Sequence, residues 1–324
     1  LLAHAFDGRR PSGGVRGTAI TGQGGGFRTP RFRVGGMVRT EILVRQGSDV
    51  VVDETTRERY QLASVSKQFT AAAVLLLVEQ GVLGLDDPVG RWISGCPGEW
   101  RGITLRQLLR HTSGLGHWED YPMIDLAVWV PPEELLTTFH AVPLKFAPGG
   151  GWSYSSAGYV LLAHVVERAA DTPYRKFLGD RIFGPLGLSR TFAGMPGDEP
   201  DVASGHDVAG QPVPSWELDV VGMGAGDVWS TAEDVLTWLD SELFGRLCLD
   251  PAPTGKGAEQ SGYGYGVFTG ETAGGRRWWH HSGDNAGFKA FAAVVPSVER
   301  RFVVLTNSDV LDMATIRSIA ERGD

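Results

Sequence analysis

Cysteine, lysine and long apolar runs are all scarce in this 324-residue chain, and each scarcity excludes something. Two cysteines, Cys96 and Cys248, allow one disulfide at most and offer no metal-ligand spacing, so neither a disulfide framework nor a bound metal is expected. The longest wholly apolar run, Ala71 to Val78, falls far short of the roughly 20 residues that cross a bilayer, so no membrane partner is expected. The first residues show no basic flank followed by an apolar stretch. That favours the cytoplasm, while a chain opening at Leu1 leaves a secreted, processed form open. Positive charge is also in deficit: 30 Lys+Arg against 38 Asp+Glu give −8, so no global field draws in nucleic acid.

The shortage of lysine is itself informative. Only Lys67, Lys145, Lys176, Lys256 and Lys289 stand against a surplus of arginine. A guanidinium does not give up its proton in a protein, so the remaining lysines mark places where a titratable amine is useful. Lys67 is the one to examine.

What is present is a core: 42% hydrophobic and 10% aromatic residues suit a globular protein of one or two domains. Residues 1–48 differ from the rest, with Gly and Arg abundant and only Asp7 and Glu41 as acids. Residues 1–36 read as an atypical Gly/Arg-rich arm. Val38 to Val44 and Val50 to Val52 then carry β-branched runs around Gln46-Gly47-Ser48-Asp49, a hairpin signal. From Ser64 to Gln80 the sequence forms a helix that is apolar on nearly every face and stops at Gly81. Thr104–His111, Pro132–His140 and Gly158–Ala170 read as amphipathic helices, and Ser230–Leu243 as one further helix with Ser230 or Thr231 as its cap. Strand-like runs return at Gly264–Thr269, Arg277–His281, Phe288–Val295 and Arg301–Thr306, before a last helix from about Asp312. The implied fold class is α/β. An antiparallel sheet is assembled from both ends, 37–90 plus 226–324, flanked by helices and holding a mostly helical region, 91–225, with the active site between them.

The chain has no GxSxG elbow, no Walker loop and no HExxH, and its glycine clusters lack the spacing of a dinucleotide loop. No cofactor is expected. His111, His117, Glu119 and Asp120 have no metal-ligand spacing and read as loop-packing residues. Ser64-Val65-Ser66-Lys67 is different, because residues three apart on a helix share a face. A Ser64 hydroxyl beside the Lys67 amine, at a helix start with its unpaired N–H groups, is a setting that activates a nucleophile.

Six stretches in order carry a resemblance: LASVSKQFTAAAVLLLVEQGVLGLDDPV (62–89), ITLRQLLRHTSGL (103–115), FAPGGGWSYSSAGYVLL (146–162), IFGPLGLSRT (182–191), GAGDVWSTAEDVLTWL (224–239) and HHSGDNAGF (280–288). Together they resemble the serine β-lactamase and penicillin-binding-protein superfamily, in the branch of class C β-lactamases, small D-alanyl-D-alanine carboxypeptidases and related esterases. The resemblance implies a β-lactamase/transpeptidase-like fold, Ser64 as nucleophile, Lys67 as base and Tyr154 as proton relay. It also implies a substrate-binding and oxyanion row of Ser156, His281, Gly283 and Asp284, the backbone N–H of Asp284 joining that of Ser64. His280 faces the other way by strand alternation. Two departures bear on substrate. Ser156 stands where the family has asparagine, and a histidine followed by Asp284 replaces a permanent cation, which disfavours a substrate carboxylate. The expected partner is thus a small ester, amide or peptide-like molecule, in a chain of open oligomeric state. Trp118, Trp216 and Trp229 either wall an acyl pocket or pack a core. The expected activity is hydrolysis through an acyl-serine. An acyltransferase, a β-lactamase or D-Ala-D-Ala carboxypeptidase, and an inactive binder or sensor remain as alternatives.

Overall fold

The computed structural model describes residues 38–126, 128–214 and 222–321. The arm expected over 1–36 and Trp216 lie outside these residues. The expected hairpin is β1 (Thr40–Gln46) with β2 (Asp49–Glu54), turned through Gly47 at φ 58°, a conformation that costs glycine little. β3 (Tyr60–Gln61) runs into a 3₁₀ turn, Ala63–Ser66, that continues as α1 (Lys67–Glu79). Every α1 residue from Lys67 to Leu75 is buried, as the all-round apolar sequence demands. Burying Phe69, Val74, Leu75 and Leu77 stabilises the fold by about 1.5–3 kcal/mol each.

α2 (Leu105–Leu109) begins at a reciprocal cap between Thr104 and Gln107. α3 (Pro132–His140) follows, then α4 (Ser156–Ala170), capped by Ser155, and α5 (Tyr174–Leu178). Two-residue strands β4 (Phe192–Ala193), β5 (Gly205–His206) and β6 (Pro212–Val213) lead to β7 (Val228–Ser230). The expected helix over 230–243 is two: α6 (Ala232–Asp240) and α7 (Glu242–Leu247). Ser241 breaks it. Its backbone is extended, with ψ 148°, and its hydroxyl donates to the Trp238 carbonyl at 2.7 Å while accepting the Phe244 N–H at 3.1 Å, so it ends one helix and caps the next.

The last strands are β8 (Ala252–Pro253), β9 (Gly262–Tyr263), β10 (Phe268–Glu271), β11 (Arg277–Asn285), β12 (Phe288–Val295) and β13 (Arg300–Thr306), before α8 (Met313–Glu321). Of the strand expected over 264–269, Phe268 and Thr269 are strand and begin β10, while Gly264 to Val267 form a tight turn after β9, closed by Gly264 N–H to the Val267 carbonyl at 2.8 Å. Eight strands form one antiparallel sheet in the order β2-β1-β13-β12-β11-β10-β9-β8, so β1 pairs directly with β13, Thr40 opposite Thr306. Alternation splits the sheet's apolar residues. Leu43, Ala290, Ala292 and Val303 join the core with α1 and α4, while Ile42, Val44, Phe291 and Val304 pack with Ile316 of α8.

Two contacts position the site. A small sheet, β3-β7-β4, fixes the approach to the 3₁₀ turn, with the Leu62 N–H donating to Val228 O at 2.8 Å and the Val228 N–H to Ser66 Oγ at 3.0 Å. β11 presses on the other side. A Cβ at Gly283 would stand 2.1 Å from the Leu62 carbonyl oxygen, so only glycine lets the strand lie against the turn.

Candidate active site

In a 3₁₀ turn, with three residues per turn, side chains i and i+3 eclipse. Ser64 and Lys67 meet for that reason. The Lys67 amine, on a fully buried side chain, donates to Ser64 Oγ at 3.0 Å and to the Ala225 carbonyl at 2.8 Å. Ala225 belongs to a tight loop in which both Ala225 N–H and Gly226 N–H donate to Gly222 O at 2.9 Å. Asp227 secures that loop by accepting the Gly224 N–H at 3.0 Å. Its carboxyl is wholly buried, and burial pushes its pKa up to about 6 against the opposing pull of Arg175, 3.5 Å away.

Tyr154 enters from the segment before α4. Its ring centroid lies 5.0 Å from Lys67 Nζ. The hydroxyl is buried and outside ordinary hydrogen-bond geometry with any described residue. Burial holds its pKa above the usual phenol value, with Ser64 acting in the other direction. The residues after it are tied to the 111–117 loop. Ser155 N–H donates to His111 Nδ1 and Ser156 N–H to His117 Nδ1, each at 3.2 Å, and Ser155 Oγ donates to Gly116 O at 2.8 Å. Burial, then the Lys67 charge, holds His111 well below the ordinary histidine pKa and brings His117 down to about 4.

The third wall is β11. A cleft with room for about 50 Å³ is lined by Ser64, His117, Trp118, Ser156, Asp284 and Asn285, together with the 222–226 loop. Ser156 and Asp284 therefore line it. His281 is set back. Its Nδ1 donates to Ser282 O at 2.7 Å, and burial holds its pKa far down, so that the Nε2 of the neutral ring accepts from the Tyr263 hydroxyl at 3.0 Å. Asp284 is half exposed and pairs with Lys289 at 2.7 Å, an amine shared with Asp309 at 3.1 Å. His280 packs against Phe268, Trp278 and Phe291 on the far face. Trp118 lines the cleft, whereas Trp229 is core, stacked on Phe192 and edge-on to Phe288.

The geometry is that of a cleft hydroxyl in contact with a buried amine, with a phenol ring 5.0 Å from that amine. The sequence model of the β-lactamase family matches residues 33–322, a span that takes in every described residue. The chain belongs to the β-lactamase family. Among curated relatives, it is 32% identical to esterase EstB of Burkholderia gladioli over 278 residues, covering 70% of this chain and 71% of that one. It is 29% identical over 244 residues to the D-alanyl-D-alanine-carboxypeptidase/endopeptidase AmpH of Escherichia coli K12, covering 71% of this chain and 58% of AmpH, less than two thirds of that relative's length. A solved D-stereospecific amidohydrolase from Streptomyces superposes with a TM-score of 0.74 at 26% identity, over 87% of this chain and 93% of that one. Fold and relatives alike are those of serine hydrolases, and the family carries a serine-hydrolase-like function.

Family motifs brought Ser64, Lys67, Tyr154, Ser156 and Gly283 forward from the sequence. Two cleft residues are missed by sequence reasoning: His117 reads only as a loop-packing residue, and nothing in the local pattern singles out Asn285. No helix among the described residues is long and apolar enough to cross a membrane.

Proposed function

We propose that the chain hydrolyses an ester or amide through a covalent acyl-serine intermediate. The 3.0 Å contact between Lys67 Nζ and Ser64 Oγ, beside the Tyr154 ring, carries the reading. As a neutral amine, Lys67 takes the Ser64 proton and keeps its hydrogen bond to Ala225 O while Ser64 Oγ attacks the substrate carbonyl. The backbone N–H groups of Ser64 and Asp284 receive the oxyanion, an interaction commonly worth about 3 kcal/mol per donor. Tyr154 passes its proton to the departing oxygen or nitrogen and takes back the one Lys67 holds, the C–O or C–N bond breaks, and the acyl group stays on Ser64. Water then attacks that ester carbonyl, one of its protons passing through Lys67 and Tyr154 to Ser64 Oγ as the acyl–Oγ bond breaks and the carboxylic acid departs.

Substrate class follows from the wall chemistry. Ser156 offers a short hydroxyl in place of a carboxamide, and Asp284 brings an acid that Lys289 shares with Asp309. A neutral or cationic acyl donor suits such a cleft better than one bearing a carboxylate. The names of EstB and of the D-stereospecific amidohydrolase fit an ester or amide donor.

A fluorophosphonate probe with intact mass measurement tests the nucleophile. One adduct on the wild type, on the peptide holding Ser64, and none on Ser64→Ala is expected, with p-nitrophenyl ester hydrolysis falling about 10⁴-fold or more. An adduct that survives Ser64→Ala sinks the assignment. In the same plate, p-nitrophenyl esters and D-amino-acid amides should turn over faster than a chromogenic cephalosporin.

A further inference from the structure

Tyr154 is gripped on both sides by a single residue. The His111 carbonyl accepts the Ser153 N–H at 3.0 Å and His111 Nδ1 accepts the Ser155 N–H at 3.2 Å, so the residues before and after Tyr154 are both tied to His111. The imidazole also lies on the phenol itself, with ring centroids 4.4 Å apart. His111 makes this grip from an unusual backbone. At φ 59° it is left-handed, which a side chain with a Cβ seldom adopts, and the turn lets one residue present both its carbonyl and its ring to the same strand of chain. His111 is fully buried, with its ring packed on those of Tyr154 and Tyr263.

We propose that His111 is the positioning residue for Tyr154, acting as a neutral ring whose Nδ1 holds the 153–155 segment so that the phenol faces Ser64 and Lys67. A backbone N–H can only donate, so the Nδ1 that receives it carries no proton and the ring's hydrogen sits on Nε2. Among the described residues Nε2 has no hydrogen-bond partner; the ring packs on Tyr263 at 4.4 Å instead. All the polar work of this side chain is therefore done at Nδ1, toward the Tyr154 segment. A charged imidazole would lose that acceptor, and burial keeps the ring neutral.

The inference rests on Tyr154 being the proton relay, and the experiment separates the two. His111→Phe keeps a flat ring of similar size but strands the Ser155 N–H. His111→Asn offers an oxygen near the place of Nδ1 and tolerates a left-handed backbone. With an amide substrate, whose leaving group needs a proton, His111→Phe should lower kcat about 100-fold with KM within about threefold, and His111→Asn should recover kcat to within about fivefold of wild type. In a Tyr154→Phe background the further loss from His111→Phe should shrink to less than about threefold, because the residue acts through a phenol no longer there. If His111→Phe does not fold, His111→Gly, which accepts the left-handed backbone and lacks the acceptor, replaces it. Equal losses in the Asn and Phe variants, or an undiminished loss in the Tyr154→Phe background, would overturn the inference while leaving the relay intact. A fully active Tyr154→Phe enzyme alongside an inactive Ser64→Ala would overturn the relay, and His111's role with it.

Discussion

Ser64 stands at the cleft and meets Lys67 from the same turn of backbone, whereas Tyr154 comes to Lys67 from a distant segment held by the 111–117 loop. On the first side, three residues per turn bring hydroxyl and amine together, and one carbonyl, Ala225 O, steadies the amine. On the second, neutral imidazoles accept backbone N–H groups in place of the carbonyls that a regular element would supply. The contrast teaches that the nucleophile side depends on the chemistry of one amine, while the relay side depends on the protonation of several buried rings. Each half should fail in its own way.

The largest effect is expected on the nucleophile side. Lys67→Met and Lys67→Arg should each lower kcat/KM for a p-nitrophenyl ester about 10³-fold, and arginine should give no rescue although it keeps the charge, because a guanidinium cannot take the serine proton. Steady-state assays on folded variants check this. An arginine variant retaining more than about a tenth of wild-type activity would mean that charge and not basicity is what the site uses.

Acid should loosen the relay side at intermediate cost. Unfolded, His117 takes up its proton near pH 6.5, and folded only near pH 4. The unfolded chain therefore binds more protons throughout that window, so stability is lost as pH falls through it, by about 3 kcal/mol from His117 alone at the lower end. His111 and His281, also held low by burial, act in the same direction. Asp227 opposes them: raised from 3.8 to about 6, it binds more protons in the folded state and favours folding as the pH drops toward 4. His280, brought down to about 3, and His140 add to the loss, and Glu41, raised by burial, joins Asp227; five histidines against two carboxyls should leave a net loss, read as a lower urea midpoint at pH 4.5 than at pH 7. His117→Asn, which keeps an acceptor for the Ser156 N–H but does not titrate, should flatten part of that slope. A midpoint unchanged or higher in acid would remove the basis for treating the relay side as the acid-sensitive one.

What the sequence made legible follows the same division. The pairing of Ser64 with Lys67, the β1–β2 hairpin, and the spans of α3 and β12 all rest on local periodicity or local turn chemistry, and they stand where that chemistry put them. Ser241 misled because its role is double: a serine inside an apolar 3.6-residue pattern looks like a surface position until its hydroxyl is seen ending α6 and capping α7. β11 runs on to Asn285, four residues past the expected end at His281, and the sequence hides this because a Ser-Gly-Asp-Asn run carries turn residues; the reason for Gly283, the Leu62 carbonyl behind it, is a non-local contact. His117 was missed on the same ground. No periodicity announces a ring that accepts an N–H from another segment, and the sequence around it offers only a loop.

The smallest expected effect tests whether stability and positioning can be separated on the relay side itself. α2 runs from the Thr104 cap toward His111, so it links a half-buried helix start to the Tyr154 grip. Thr104→Ala removes the acceptor for the Gln107 N–H and should cost about 1 kcal/mol, seen as a small drop in urea midpoint. kcat should stay within about twofold of wild type, because the far end of α2 is fixed independently: the Tyr159 hydroxyl donates to Leu109 O at 2.7 Å and the His111 N–H to Leu108 O at 3.2 Å. If kcat instead falls about tenfold for that small loss of stability, α2 transmits strain along its length to His111, and the relay side is held by the whole helix and not by the single residue at its end.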